Sequence, residues 1–260
     1  MIVTPFRNED HSIPHYLKGL REIDYPKELI DIYWLENDSS DKTLSMLQEA
    51  KDDLPFKSMT LESINILGPV KKRESGGYVK DIGSGKRRRN AWLVIWNSYF
   101  IPLAKKVNHK YILFWYADAV PPPNVITEYL KVFDKYSAGW VGGRMLRRIP
   151  HLGSHRNEFP FSLLKLLNIH VRKMGDWSSP RPITLATQNI RHPIECKLTG
   201  HVFMIPREPL CKCTFHHAVE ENHYSITQGL AMQGLKVYYQ PSVYIKHVST
   251  DGKIWEPQQC

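Results

Sequence analysis

Short apolar runs alternate with amphipathic segments along the first part of the chain. Met1–Thr4 and Leu29–Leu35 are runs of strand length, and the segment after each places apolar residues at helical spacing. Ser12 is expected to cap the first helix, and Pro5 is expected to close the first strand because proline cannot donate a ladder hydrogen bond. Strands that alternate with helices predict an α/β fold with a mostly parallel sheet.

The same alternation resumes after a polar, glycine-rich stretch. Residues 90–103 are apolar around most of a helix, and Tyr111–Tyr116 is a hydrophobic run typical of the centre of a parallel sheet. Four tryptophans within apolar runs are expected in the core: Trp92, Trp96, Trp115 and Trp140.

The rest of the pattern completes one domain over residues 1–260. It predicts a helix over 124–136, a strand over 138–145, a strand over 199–205, a helix over 218–233, and strands over 237–239 and 243–247. Residues 147–195 are the least regular stretch and are expected to be a variable insertion. No composition shift indicates a linker between two domains.

Composition narrows the class of protein. Of the 260 residues, 42% are apolar, which is typical of a folded globular chain and excludes a disordered one. No run approaches the roughly 18–20 apolar residues that cross a bilayer, and polar residues come too early for a signal peptide. Four cysteines are too few for a disulfide scaffold, so a cytoplasmic location is expected. Cys211 and Cys213, followed by His216 and His217, are spaced too tightly for common structural zinc sites.

The net charge of +9 is unevenly distributed. Residues 1–62 carry 7 basic and 13 acidic groups, whereas residues 63–110 carry 11 and 2. The run Lys86–Arg89 lies in this basic segment among glycines, and such a stretch is expected to attract phosphates. A solvated surface loop would have the same composition, so both interpretations stay open.

Polar residues follow three of the predicted strands. They are Arg7–Glu9, Glu36–Asp41 and Asp118, and in an open parallel sheet such strand ends face one crevice. A carboxylate there is well placed to hold a divalent cation against a diphosphate. Asp118 precedes three prolines, so a role as a turn or helix cap is the alternative.

Four motifs together resemble a known family. They are PFRNE after the first strand, LENDSSDKT after the second, RRRNAW after the basic stretch and FWYADAVPPP after the central strand. In combination they resemble the GT-A glycosyltransferases, specifically family 2, and the first 50 residues are similar to procollagen galactosyltransferase-type domains. The resemblance covers most of residues 1–145 and returns in 199–247. It implies a nucleotide-sugar-binding half, 1–145, and an acceptor-binding half, 146–260.

The resemblance also implies roles for particular residues. Glu36, with Asp38 nearby, would bind uracil or ribose, and Arg89 would pair with the diphosphate at a helix N-terminus. The full set of implied donor contacts is Thr4, Pro5, Arg7, Glu36, Asp38, Arg89, Asn90 and Ala117.

The metal site and the base follow from the same resemblance. Asp118 and His247 would hold Mn²⁺ or Mg²⁺, although Tyr116 stands where the family has the first carboxylate of its metal motif. Glu221 would remove the acceptor proton, with Glu220 in reserve. The alternatives are a solvent-facing or core-satisfied histidine at 247 and a pair of glutamates that only favours the helix dipole.

The expected activity is transfer of a sugar from a nucleotide-diphosphate sugar, first of all a UDP-sugar, with inversion. The acceptor hydroxyl could belong to a glycan, a hydroxylated protein or a hydroxymethylated DNA base. Two other classes stay open: an inactive module of the same fold that binds nucleic acid or another polyanion, and a nucleotidyltransferase. The latter normally has a glycine-rich phosphate loop after the first strand, and PFRNEDHS contains no glycine.

Overall fold

The computed structural model of the protein describes residues 1–66, 91–145, 147–148, 158–159, 192–196, 199, 201–215 and 224–255. Its helices are α1 (Ile13–Glu22), α2 (Thr43–Lys51), α3 (residues 91–106), α4 (Val125–Lys135), α5 (Arg207–Cys211) and α6 (Tyr224–Ala231). The middle of α3, Ile95–Phe100, is π-helical, and Ile101–Lys106 is α-helical. A 3₁₀ turn, Lys27–Leu29, precedes the second strand.

The strands are β1 (Ile2–Phe6), β2 (Asp31–Asn37), β3 (Ser58–Ile64), β4 (Tyr111–Trp115), β5 (Ala119–Val120), β6 (Ala138–Met145), β7 (Arg147–Arg148), β8 (Glu158–Phe159), β9 (Ile194–Cys196), β10 (Val202–Pro206), β11 (Lys236–Val248) and β12 (Ile254–Trp255). The main sheet has the order β12-β11-β6-β10-β4-β1-β2-β3. Strands β4, β1, β2 and β3 run parallel, and β10 is antiparallel to both of its neighbours. The expected α/β architecture is confirmed.

A hydrophobic core covers each face of this sheet. Because successive strand residues point to opposite faces, Trp34 and Trp115 pack with α1, α2 and α4, whereas Phe114 packs with α3, α5 and α6. Trp96, Trp115 and Trp140 are fully buried as expected. Trp92 is half-buried and packs against the core on the α3 face, so the expectation holds for it only in part.

Three details of the sheet differ from the sequence prediction. Pro5 lies inside β1, opposite Leu35 of β2. It is tolerated there because the pairing of β1 with β4 involves only Ile2 and Val3, so no ladder bond from Pro5 is needed on that side. Strand β3 was not predicted, and β11 is one strand with an irregularity between Gln240 and Tyr244 rather than two.

No helix among the described residues has the length and apolar character needed to span a bilayer.

Candidate functional site

The carboxyl ends of β1, β2 and β4 meet at one edge of the sheet. Phe6 pairs with Glu36 across the parallel β1–β2 ladder, and β4 pairs with the other side of β1. The polar residues that follow these strands therefore lie together, as the sequence predicts for an open α/β sheet.

The loops after β1 and β2 are joined by hydrogen bonds between side chains and backbone. Ser40 N donates to Asn8 Oδ1 over 2.8 Å, and Asn8 N donates to Ser39 Oγ over 3.0 Å. Glu9 N donates to Thr43 Oγ1 over 2.7 Å. These bonds fix the two loops relative to each other, so the crevice between them is shaped before any ligand arrives.

Asn8 is suited to this junction for two reasons. Its φ of 54° lies in the left-handed region, which asparagine tolerates better than most residues, and its side chain accepts the Ser40 N–H. We expect Asn8→Ala to lower the free energy of unfolding by about 1–2 kcal/mol, measured from urea midpoints at constant m-value. Asn8→Asp keeps the acceptor and the backbone tolerance and should lose less. Equal stability of wild type and Asn8→Ala would contradict this account of the junction.

Glu36 uses both carboxylate oxygens within the protein. Its Oε1 accepts from Ser39 N and its Oε2 from Ser63 Oγ, each over 2.6 Å, and the residue is 2% exposed. Glu36 thus joins the ends of β2 and β3, and its contact with a nucleotide stays a prediction.

Asp38 and Arg7 lie beside it. Arg7 Nη1 is 3.8 Å from Asp38 Oδ2, which also accepts Ile66 N over 2.8 Å. Burial lowers the pKa of the Arg7 guanidinium, and the carboxylates of Asp38 and Glu36 oppose that shift. Arg7 therefore keeps a positive charge next to the strand ends.

Two residues expected to touch the donor have core side chains. Thr4 is fully buried, and its hydroxyl lies 2.7 Å from Tyr16 Oη, which also accepts from Trp34 Nε1. Ala117 is buried in the same core. Their side chains are thus not available to a ligand. Pro5 is half-buried within β1.

Asp118 and His247 face each other across a short strand pair. Ala119 of β5 pairs with His247 of β11, and Val248 N donates to the Asp118 carbonyl over 2.8 Å. His247 Nε2 then lies 3.3 Å from Asp118 Oδ2. The two residues are brought together although 129 positions separate them in the sequence.

This pair suits a hard divalent cation whose remaining coordination positions are filled by a bound ligand. A carboxylate oxygen and an imidazole nitrogen are suitable donors, and His247 Nδ1 is buried with no hydrogen-bond partner among the described residues. Within the same residues, no three His, Cys, Asp or Glu side chains are arranged to hold a metal. The described residues would thus supply two donors to such a cation.

Further acidic groups surround the pair. Burial, and then the charge of Asp118, raise the pKa of Glu9 to about 8, while a hydrogen bond from Ser12 Oγ opposes the shift. Burial lowers the pKa of His11, whose ring lies 3.8 Å from Glu9 and 3.9 Å from Asp10. The carboxylates of Asp118, Asp41 and Asp10, which raise the pKa of Glu9, favour a cation at this point.

Sequence reasoning did not identify His201, which lies at the same edge. Its φ is 67°, and its carbonyl accepts Tyr116 N over 2.9 Å. The Tyr116 ring also lies 5.5 Å from that of Trp92. No local pattern distinguishes His201 in the sequence, because its position depends on the pairing of β10 with β4.

Four predicted site residues lie outside the described residues: Arg89, Asn90, Glu220 and Glu221. The same holds for the basic run Lys86–Arg89.

Of the residues that raised the question of zinc, Cys211 and Cys213 are described, whereas His216 and His217 lie outside the described residues. Cys213 is buried, and burial raises the pKa of its thiol to about 11, which disfavours the thiolate that zinc requires.

Comparisons with known proteins identify the family and the fold. A family model, Anp1, matches residues 1–136, which is just over half of the chain. No curated protein matches the chain.

Solved structures match over nearly the whole chain at low identity. The mannosyltransferase PcManGT from Pyrobaculum calidifontis, in complex with GDP-Man and Mn²⁺, has a TM-score of 0.54 at 16% identity and covers 96% of this chain. TarS 1–349 from S. aureus, in complex with UDP-GlcNAc, has a TM-score of 0.51 at 13% identity and covers 94%. In both comparisons the match spans 57% of the other chain.

Glucosyl-3-phosphoglycerate synthase from Mycobacterium tuberculosis, in complex with Mn²⁺, UDP and glucosyl-3-phosphoglycerate, has a TM-score of 0.50 at 13% identity. It covers 95% of this chain, and the match spans 71% of its own. These similarities establish the GT-A fold that the sequence motifs predict. The family 2 assignment and the procollagen galactosyltransferase resemblance stay predictions.

Proposed function

The chain belongs to the Anp1 family, which is a family of glycosyltransferases. From this premise we propose that it transfers a hexose from a nucleotide-diphosphate sugar to an acceptor hydroxyl. A divalent cation assists the transfer. The observation that carries the proposal is the pair Asp118 and His247, 3.3 Å apart beside the ends of β1 and β2.

The pair is suited to bind the donor diphosphate through a shared cation. Asp118 and His247 would hold Mn²⁺ or Mg²⁺, which when bound neutralises the charge of the departing diphosphate. The β5–β11 pairing fixes the backbone of both residues, so little reorganisation is needed on binding. Arg7 adds a positive charge at the neighbouring strand end.

The reaction needs one further group. The acceptor oxygen forms a bond to the anomeric carbon as the bond from that carbon to the phosphate oxygen breaks, and the hydroxyl proton passes to a base. We propose inversion, with Glu221 as the base and Glu220 in reserve, and Arg89 and Asn90 on the diphosphate. These assignments rest on the sequence motifs.

For the nucleotide, we propose uridine diphosphate first. A carboxylate at the end of β2, such as Asp38 beside Arg7, would accept the ring N–H of uracil or of guanine, so the preference for uridine rests on the sequence resemblance. Guanosine diphosphate sugars are the competing donors, and the experiment below compares the two.

A thermal-shift screen tests the proposal. UDP-glucose, UDP-GlcNAc and GDP-mannose are each added with Mn²⁺, and each is repeated with EDTA. A donor at about 100 times its Kd adds about 2.7 kcal/mol, which should raise Tm by roughly 5–10 °C in a chain of this size. The shift should require both the nucleotide sugar and the cation. No shift with any pair would contradict the proposal.

A second candidate function is an inactive GT-A module that binds a polyanion. The basic segment 63–110 and Tyr116 in place of a carboxylate favour it. Slow release of nucleoside diphosphate from the donor with Mn²⁺ is expected from the enzyme and not from the module.

Salt dependence tests the class of acceptor. If the acceptor is DNA, its binding should weaken steeply with salt, whereas binding of a neutral glycan or a hydroxylated protein side chain should change little.

A further inference from the structure

Three half-buried rings meet where β4 ends: Trp92, Tyr116 and His201. The ring centroids of Trp92 and Tyr116 are 5.5 Å apart and their planes are tilted by 35°. The His201 ring meets Tyr116 edge-on, at 5.8 Å and 88°. Helix α3 supplies Trp92, the position directly after β4 supplies Tyr116, and the position directly before β10 supplies His201, so this aromatic platform depends on the tertiary fold.

The backbone at His201 supports the platform at an energetic cost. Its φ of 67° is disfavoured for a residue with a side chain, yet it places the His201 carbonyl on Tyr116 N, 2.9 Å away. The non-glycine residues with positive φ among the described residues are Asn8, Asp38 and His201. Asn8 and Asp38 serve the loops after β1 and β2. Strained backbone concentrates at functional sites. His201 lies outside the loops after β1 and β2, so its positive φ indicates a further functional position.

The platform is close to the candidate metal pair along the chain. Tyr116 precedes Asp118 by two residues, so their Cα atoms are at most about 7 Å apart. The group bonded directly to a diphosphate held at Asp118 is the donor hexose. The nucleoside lies on the other side of that diphosphate, toward the end of β2 if Asp38 receives the base.

We propose that Trp92, Tyr116 and His201 form the surface on which the donor hexose packs, and that Tyr116 in particular discriminates a nucleotide sugar from the bare nucleotide. The inference rests on the proposed function and names the residues that contact the sugar. One face of a pyranose ring carries mainly C–H groups, which pack against aromatic rings. A phenol at position 116 thus contributes contact with the sugar where a carboxylate would contribute charge.

The test compares binding of a nucleotide with and without its sugar. Kd values for UDP and UDP-glucose, and for GDP and GDP-mannose, are measured by calorimetry with Mn²⁺ for wild type, Tyr116→Ala and Tyr116→Phe. Tyr116→Ala should raise the Kd of the nucleotide sugar about fivefold and change the Kd of the bare nucleotide less than about twofold. Tyr116→Phe keeps the ring and should restore most of the difference.

Tyr111→Ala is the matched control. Tyr111 is half-buried at the start of β4, the end away from Tyr116, and has its own ring partner, Phe133, at 4.8 Å. Its loss should leave the ratio of the two Kd values unchanged. If Tyr116→Ala weakens binding of the nucleotide and of the nucleotide sugar equally, the platform contacts the base and the inference is overturned. The inference is also overturned if Tyr116→Ala weakens binding of neither. A wild-type protein that binds neither member of any pair would instead contradict the proposed function itself.

Discussion

Asp118→Asn is expected to lower the rate of sugar transfer, or of donor hydrolysis without acceptor, by about a thousandfold at saturating donor. Asparagine keeps the size of the side chain, and the bond from Val248 N to the carbonyl of residue 118 is unaffected. It removes the negative charge and the anionic oxygen that faces His247 Nε2 at 3.3 Å. The rate is measured as nucleoside diphosphate release over a series of Mn²⁺ concentrations. Calorimetry should also show that Mn²⁺ binds more weakly to the nucleotide-bound Asp118→Asn variant than to the nucleotide-bound wild type.

The chain offers a close control for this variant. Asp31 also faces a histidine, with 2.5 Å between Asp31 Oδ2 and His109 Nε2, but it lies at the start of β2, away from the crevice. Asp31→Asn breaks a comparable pair and should lose some stability while keeping the wild-type dependence on Mn²⁺. Transfer by Asp118→Asn at the wild-type rate and with the wild-type Mn²⁺ dependence would show that this carboxylate does not hold the cation.

The part of the fold that local pattern determines was predictable. Runs such as Tyr111–Tyr116 are buried on both faces of a parallel sheet, so they are continuous, apolar and easy to identify. Because parallel strands with helical crossovers place their carboxyl ends at one edge, the closeness of the loops after β1 and β2 also followed. The pair Asp118 and His247 came from a family resemblance, and the structure brings its members together.

What depends on distant partners was not predictable. Thr4 has the sequence position of a ligand contact, but the Tyr16 hydroxyl, twelve residues on, holds it in the core. Strand β3 is an edge strand whose residues are mostly exposed or half-exposed, so it lacks the apolar run that signals a strand. Trp92 lies in a helix that is apolar nearly all round in the sequence, and such a pattern does not indicate which position is only half-buried.

Glu9→Gln is expected to stabilise the protein above pH 8 and to leave its stability at pH 5 nearly unchanged. Burial and the charge of Asp118 raise the pKa of Glu9 to about 8, whereas the unfolded chain has the ordinary value near 4.5. The folded state therefore holds the proton more tightly, and stability present below pH 4.5 is lost as pH rises through 8. Each pKa unit corresponds to about 1.4 kcal/mol, so wild type should lose on the order of 2–4 kcal/mol between pH 5 and pH 9. Glutamine cannot ionise but can still accept the Ser12 hydroxyl, which lies 2.6 Å from the Glu9 carboxylate.

Urea unfolding at pH 5, 7 and 9 measures this dependence. Glu128→Gln is the control, because hydrogen bonds from Lys131 and then Ser242 hold the pKa of Glu128 below its usual value, so its contribution changes only at lower pH. Asp118→Asn should remove part of the wild-type loss at high pH, because one of the charges that raise the pKa of Glu9 is then absent. Equal slopes for wild type and Glu9→Gln would mean that the Glu9 carboxylate ionises without opposition. Glu9 would then be ionised at neutral pH and would itself add negative charge beside Asp118, so the acidic field at the pair would not depend on Asp118 and its other acidic neighbours alone.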